Sequence, residues 1–214
     1  MVYERMKDHI EKNGGSVKLQ TPVQKVNCKD GSVGSLVLEN GEEKSYDHII
    51  SSMPITHLVN NMGEVPQEVI DANDQLQFRN TLLVYLKVEG QDIFPDNWLY
   101  VHANDLQMGR ITNFHNWVPE INNGEKSTIV VLEYWAYNED KIWNSSDEEL
   151  IDLAKDELRK TGLIKDLNIS DGHVIKLPKC YPVYRRGYKE PLKIVEDHLT
   201  SVKNLSVIGR YGAF

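Results

Sequence analysis

The chain has 214 residues, 40% of them hydrophobic and 26% charged, an ordinary balance for a folded globular protein and enough for one good core or one and a half domains. A formal net charge of −8 argues against nucleic acid or an anionic membrane surface as a general partner. No apolar run approaches the roughly 18 residues that a bilayer span requires, and Met1 to Gly15 is charged throughout, without a signal-peptide pattern.

Val2 to Lys12 reads as a helix with Tyr3, Met6 and Ile10 on one stripe, ended by Asn13-Gly14-Gly15. Val17-Lys18-Leu19 reads as a short strand, broken at Thr21-Pro22. Val23 to Asn27 and Ser35 to Glu39 alternate around Lys29-Asp30-Gly31-Ser32, a hairpin signal, and Asn40-Gly41 turns into Lys44-Ser45-Tyr46. His48 to Met53 follows as a buried strand stopped by Pro54.

From Ile55 the texture changes. Short helices are expected around Leu58 to Met62 and over Pro66 to Asn73, then a strong strand over Thr81 to Val88. Trp98 to His102, Arg110 to Phe114 and Ser127 to Trp135 read as further strands joined by polar loops. Ser146-Asp147-Glu148-Glu149 is a capping box that opens a helix carrying Leu150, Leu153, Ala154 and Leu158, closed by Gly162. His173 to Leu177 reads as a strand and Pro191 to Leu199 as a helix. Trp98 and Trp135 are expected in the core, with Trp117 as a pocket wall. Leu205, Val207 and Ile208 then form a short apolar strand that empties into Gly209-Arg210-Tyr211-Gly212-Ala213-Phe214.

These elements make an α+β protein with α/β pieces at both ends: a mixed or antiparallel sheet flanked by helices, interrupting a domain built from the two ends. The expected boundaries are 1–54, 55–200 and 201–214. A strand aimed into a glycine turn is an odd place for a chain to stop, so the expectation is a piece of a larger enzyme.

No Gly-x-Gly-x-x-Gly, Walker loop, Gly-x-Ser-x-Gly or His-Glu-x-x-His occurs. The seven histidines show no metal-ligand spacing, and Cys28 and Cys180, far apart, read as two ordinary thiols of a reducing compartment. No catalytic side chain and no metal site can therefore be named, and a borrowed cofactor would solve that problem. The turn at Gly209 could admit an anion close to the backbone, although such a short glycine motif by itself more often marks a surface turn. Arg110, on an alternating strand, could present its planar fork to a diphosphate or form a surface salt bridge. Tyr181 and Tyr184 could pack a sugar or nucleotide, or be partly buried structural residues.

Three stretches together resemble the flavoproteins of the amine oxidase and protoporphyrinogen oxidase superfamily, and especially its UDP-galactopyranose mutase-like members. They are Gly14-Gly15 through Val23 and the hairpin to Asp47–Pro54; Gly109-Arg110-Ile111-Thr112-Asn113-Phe114; and Tyr181-Pro182 followed by a helix and Gly209-Arg210-Tyr211-Gly212. The resemblance implies that residues 1–54 and 201–214 are parts of an FAD-binding domain and 55–200 a substrate domain. It also implies FAD contacts at Val23, Gly209 and Arg210, and a substrate pocket formed by Arg110, Tyr181, Tyr184 and Phe214. Phe214 stands where the mutases carry a tyrosine, and Tyr184-Arg185-Arg186-Gly187-Tyr188 has no counterpart there. The activity implied is isomerisation of a UDP-sugar for lipopolysaccharide or other surface-polysaccharide assembly, in a cytoplasmic bacterial enzyme. The alternatives are an amine-oxidase-type flavin oxidoreductase or a non-catalytic binding module. Because the loop that grips a dinucleotide pyrophosphate is absent, this chain by itself is expected neither to hold FAD nor to turn over substrate.

Overall fold

The computed structural model describes residues 2–214. In chain order the elements are α1 (Val2–Lys12), β1 (Val23–Lys29), β2 (Ser32–Leu38), β3 (Glu43–Lys44), β4 (Ile49–Ser51), α2 (Ile55–Asn61), α3 (Gln67–Asn73), β5 (Phe78–Glu89), β6 (Trp98–Tyr100) and β7 (Arg110–Asn113). They continue with α4 (Phe114–Trp117), β8 (Ser127–Ala136), α5 (Asp147–Lys160), β9 (Ile169–Pro182), α6 (Lys189–Ser201), β10 (Leu205–Val207) and α7 (Gly209–Gly212). The mixed α+β class read from the sequence is the class observed.

Two compact units result: one takes the residues up to Leu76 together with Arg185–Phe214, the other Gln77–Tyr184. The division falls later on the first crossing, and earlier on the return, than the change of sequence texture suggested. The reason is packing: α3 lies against α6, and α2 packs on α3 and β1. Those helices bury Ile55, Leu58, Val59 and Val69 together with Val195 and Leu199, so the core of the first unit needs them.

In the first unit β1, β2 and β3 form an antiparallel meander. Asp30 and Gly31 both have positive φ (54° and 72°), the backbone of a two-residue turn whose twist matches the flanking strands. β10 returns to pair in parallel with β4. The Asn204 side chain fixes the entry to that strand, accepting from the Val33 amide at 2.7 Å and donating to the Val33 carbonyl at 2.9 Å. Residues 17–19, expected as a strand, lie outside any ladder. A strand exists only by pairing, and among the described residues nothing pairs with this segment.

The second unit is a five-stranded antiparallel sheet in the order β6-β7-β8-β5-β9. Strict alternation along β5 sends Leu82, Val84, Leu86 and Val88 to one face, where they meet Val130, Leu132 and Tyr134 of β8. On that face Leu150, Ala154 and Leu158 of α5 close the core. The helix starts where the capping box predicts: the Ser146 hydroxyl accepts from the Glu149 amide at 3.2 Å, and the Glu149 carboxylate accepts from the Ser146 amide at 2.9 Å. Because that face is fully covered, the alternate residues of every strand crowd the other face. β9 is much longer than its apolar centre suggested, because hydrogen bonding to β5 carries polar residues into the ladder at both ends.

Candidate functional site

Side chains on the face opposite α5 converge at one end of the second unit's sheet on an open cavity of about 390 Å³, within the size range of small-molecule sites. Its walls are Arg79, Tyr100, Arg110, Trp135, Tyr181, Pro182, Val183 and Tyr184. Strand register explains why these residues meet. Tyr100 pairs with Arg110, Arg110 with Glu133, Trp135 with Thr81, and Tyr181 with Arg79.

A bulge sets the last of these pairings. Between Thr81 and Arg79 the partner strand advances from Leu177 to Tyr181, two residues too many for a regular ladder. Lys179 absorbs the excess at φ 51°, and the Asn80 side-chain oxygen accepts from its amide at 2.9 Å. The Asn80 amide group in turn donates to the Asn138 side-chain oxygen at 2.7 Å. Tyr181 and Tyr184 thus reach the cavity through a kink whose extra amide is satisfied.

The two arginines differ in electrostatics. Arg110 forms an ion pair with Glu133, whose side chain is only 5% exposed. Trp135 Nε1 donates to the same carboxylate at 3.2 Å. Burial works against the Arg110 charge, but the Glu133 carboxylate and the Tyr100 hydroxyl outweigh it, and the guanidinium is held above its ordinary pKa. It also lies 6.0 Å from the centroid of the Tyr100 ring. Arg79 sits over the Tyr137 ring at 5.4 Å, and among the described residues no carboxylate pairs with it. The Nε atoms of both arginines are buried without a hydrogen-bond partner.

Gly109 shapes the floor. A Cβ there would lie 1.9 Å from Trp135 Cζ3, so the indole occupies the space that any other residue's side chain would need. The loop before it is fixed from behind: the buried Glu157 carboxylate accepts from the amides of Gln107 (2.6 Å) and Met108 (3.1 Å).

The first unit carries the other expected site residues. Val23 opens β1 and is half-buried, while Gly209, at φ 79°, and the exposed Arg210 begin α7 directly after β10. The sequence reading had this segment as a turn; it is one short helical turn. A Cβ on Gly212 would stand 3.2 Å from the Ser51 carbonyl, and the buried Ser51 hydroxyl has no partner. The ends of the parallel strands β4 and β10 therefore form a close-packed backbone cradle with an unsatisfied polar group, a composition that fits a polar ligand at the carboxyl edge of a sheet. Phe214 is buried in this unit, with Tyr188 6.1 Å away, and is not among the residues lining the cavity of the second unit.

Residues 1–193 match the family described as flavin containing amine oxidoreductase. The chain belongs to this family. Its fold is that of a reduced UDP-galactopyranose mutase (TM-score 0.79, 18% identity), covering 98% of this chain and 44% of that one. It is also that of an Exiguobacterium sp. 255-15 protein assigned as a protoporphyrinogen oxidase (TM-score 0.76, 16% identity), covering 99% of this chain and 47% of that one. An oxidoreductase from Methanosarcina mazei is similar over 98% of this chain and 48% of its own length (TM-score 0.67, 12% identity). The chain thus spans under half the length of each of these proteins. Among curated proteins no sequence match was found.

Within this flavin amine oxidoreductase chain, three of the four residues expected to touch substrate, Arg110, Tyr181 and Tyr184, line one cavity. Arg79, Tyr100 and Trp135 were missed. Arg79 carries the same signal as Arg110, an arginine on an alternating strand, but it lies just before the strong apolar run that starts at Thr81, outside the strand expected from the sequence. The tryptophan expectations were also inverted. Trp98 is 46% exposed on the edge strand β6 and stacks on Trp117 (centroids 5.4 Å), whereas Trp135 walls the cavity. Cys28 and Cys180 are both free thiols. Among the described residues no cluster suited to a metal ion occurs, and no helix is long and apolar enough to cross a membrane.

Proposed function

We propose that this chain is the substrate-recognising part of an FAD enzyme that isomerises a nucleotide sugar, similar to UDP-galactopyranose mutase. Such a reaction would serve lipopolysaccharide or other surface-polysaccharide assembly in a bacterial cytoplasm. One observation carries the reading: a cavity of about 390 Å³ that combines two guanidinium groups with the aromatic rings of Tyr100, Trp135, Tyr181 and Tyr184. Arginine forks suit phosphate oxygens, and tyrosines pack a sugar or base while anchoring it through a hydroxyl. Arg110, Tyr181 and Tyr184 are the substrate contacts in this account.

Val23, Gly209 and Arg210 are assigned to the flavin, since the cradle at Ser51 and Gly212 offers close backbone approach and an unsatisfied hydroxyl. The flavin, when bound, would supply an electron-rich reduced ring for sugar isomerisation, or an oxidised ring that accepts a hydride in an oxidoreductase. The residues of the chain bind and orient the substrate; none of them is required as a strong acid or base.

The second reading is an amine-oxidase-type oxidoreductase. It is favoured by the Glu133 carboxylate, which balances Arg110 and halves the cavity's demand for an anion. Titration of the flavin-loaded gene product with UDP-galactose separates the two. Saturable binding that weakens in Arg110→Ala, with galactopyranose–galactofuranose interconversion, is expected. Oxygen consumption with an amine or porphyrinogen substrate, and indifference to UDP-galactose, would establish the oxidoreductase.

A further inference from the structure

Formal charge in the cavity is unevenly committed. The Arg110 charge is matched within the fold by Glu133, a carboxylate buried at 4% exposure and further held by Trp135 Nε1. Removing that ion pair as a unit would leave the cavity's net charge where it was. Arg79 has no such partner. Its guanidinium rests on the Tyr137 ring, its Nε is buried and unbonded, and among the described residues no carboxylate forms an ion pair with it. A partly buried arginine without a counter-ion is costly unless something completes it. An aromatic face supplies only a fraction of that compensation.

We propose that Arg79 is the residue that anchors the anionic group of the substrate, and that it determines specificity for an anion. Arg110 is a pre-neutralised wall whose second role is to shield Glu133. Arg79 is placed for this task by two features. It is the cross-strand partner of Tyr181, so an anion on its free edge lies beside that ring. The bulge at Lys179, clamped by Asn80, holds the 181–184 segment over it. With Arg79 and Arg110 positive and Glu133 negative, the cavity carries one uncompensated positive charge. It therefore fits one anionic centre, a phosphate or a carboxylate, on a substrate whose remainder packs against aromatic rings.

The inference deepens the nucleotide-sugar reading in Arg79's choice of a phosphate, but its charge argument holds for any anion. Isothermal titration of the purified chain with UDP, and separately with succinate, tests both. Variants Arg79→Met, Arg79→Lys and the double variant Arg110→Met/Glu133→Gln are compared with the parent, each checked for folding by thermal melting. Loss of a charged hydrogen bond predicts that Arg79→Met weakens UDP binding by about tenfold or more. Arg79→Lys, with a point charge in place of the fork, falls between. The double variant, which deletes the ion pair without changing net charge, loses less than Arg79→Met. Should Arg79→Met fail to fold, the ranking of Arg79→Lys against the double variant decides the matter. UDP binding that survives both Arg79 variants, or that falls more in the double variant, overturns the assignment. Arg79-dependent binding of succinate without UDP binding would keep the assignment and remove the nucleotide-sugar reading. Binding of neither probe would overturn the assignment as well.

Discussion

Replacing Gly109 with alanine tests how the cavity wall is built. The added methyl would stand 1.9, 2.6 and 2.7 Å from three carbons of the Trp135 ring, closer than real side chains approach. Gly109 does not have the positive φ that other residues avoid, so the penalty is attributed to the clash with the indole. Relief requires the ring to swing, which breaks the 3.2 Å bond from Trp135 Nε1 to Glu133 and loosens the carboxylate that holds Arg110. Overpacking of this kind costs about 2 kcal/mol, which lowers Tm by roughly 4–8 °C for a chain of this length. Differential scanning fluorimetry and chemical denaturation would measure the loss, and tryptophan emission would report the displaced ring. The second half of the test is a cycle with Trp135→Leu. Once the indole is gone, the alanine has room, and the Gly109→Ala cost should shrink to less than about 0.5 kcal/mol. A Gly109→Ala protein as stable as the parent, or a cost that persists in the Trp135→Leu background, would refute the reasoning.

Other consequences follow from single contacts. Arg110→Met strands the buried Glu133 carboxylate and should destabilise by about 2–3 kcal/mol, at the low end of buried-pair losses because Arg110 is part exposed; adding Glu133→Gln should recover most of that in urea denaturation. Tyr134 is buried on the α5 face, and burial, reinforced by the Glu157 charge, pushes its phenol pKa well above the ordinary value. A raised folded-state pKa contributes stability fully below the unfolded pKa of about 10 and loses it as pH climbs above that. Tyr134→Phe should therefore flatten the alkaline limb of a Tm–pH profile. It should also be neutral or about 1 kcal/mol stabilising at neutral pH, since the hydroxyl has no partner in hydrogen-bonding geometry. Ser146→Ala removes half of the capping box of α5 and should cost about 1 kcal/mol, measurable in the same denaturation assay.

Local chemistry wrote the elements that were legible in advance. The Asp30-Gly31 turn, the capping box at Ser146 and the alternation of Leu82, Val84, Leu86 and Val88 each specify their structure within a few residues. What escaped was set by pairing and by packing over long separations. The ends of β9 are polar and become strand only because β5 lies beside them. α2 and α3 join the first unit because α6, more than a hundred residues later, supplies their other wall. The cavity was half legible: Arg110, Tyr181 and Tyr184 stood in recognisable stretches. Arg79 and Trp135 enter it through register, and a bulge at Lys179 that no local signal announces decides that register. Trp98 was misplaced because an edge strand exposes what a central strand of the same composition would bury.

The function proposed above has the cavity at Arg79 and Arg110 of a flavin enzyme receive an anionic sugar nucleotide. The most direct test is the absorbance spectrum of the gene product purified with its cofactor, recorded during titration with UDP-galactose. Flavin bands that shift saturably with the nucleotide sugar, and that cease to shift in Arg79→Met, are the expected result. A protein that cannot be loaded with FAD, or flavin bands indifferent to UDP-galactose at any concentration, would contradict it.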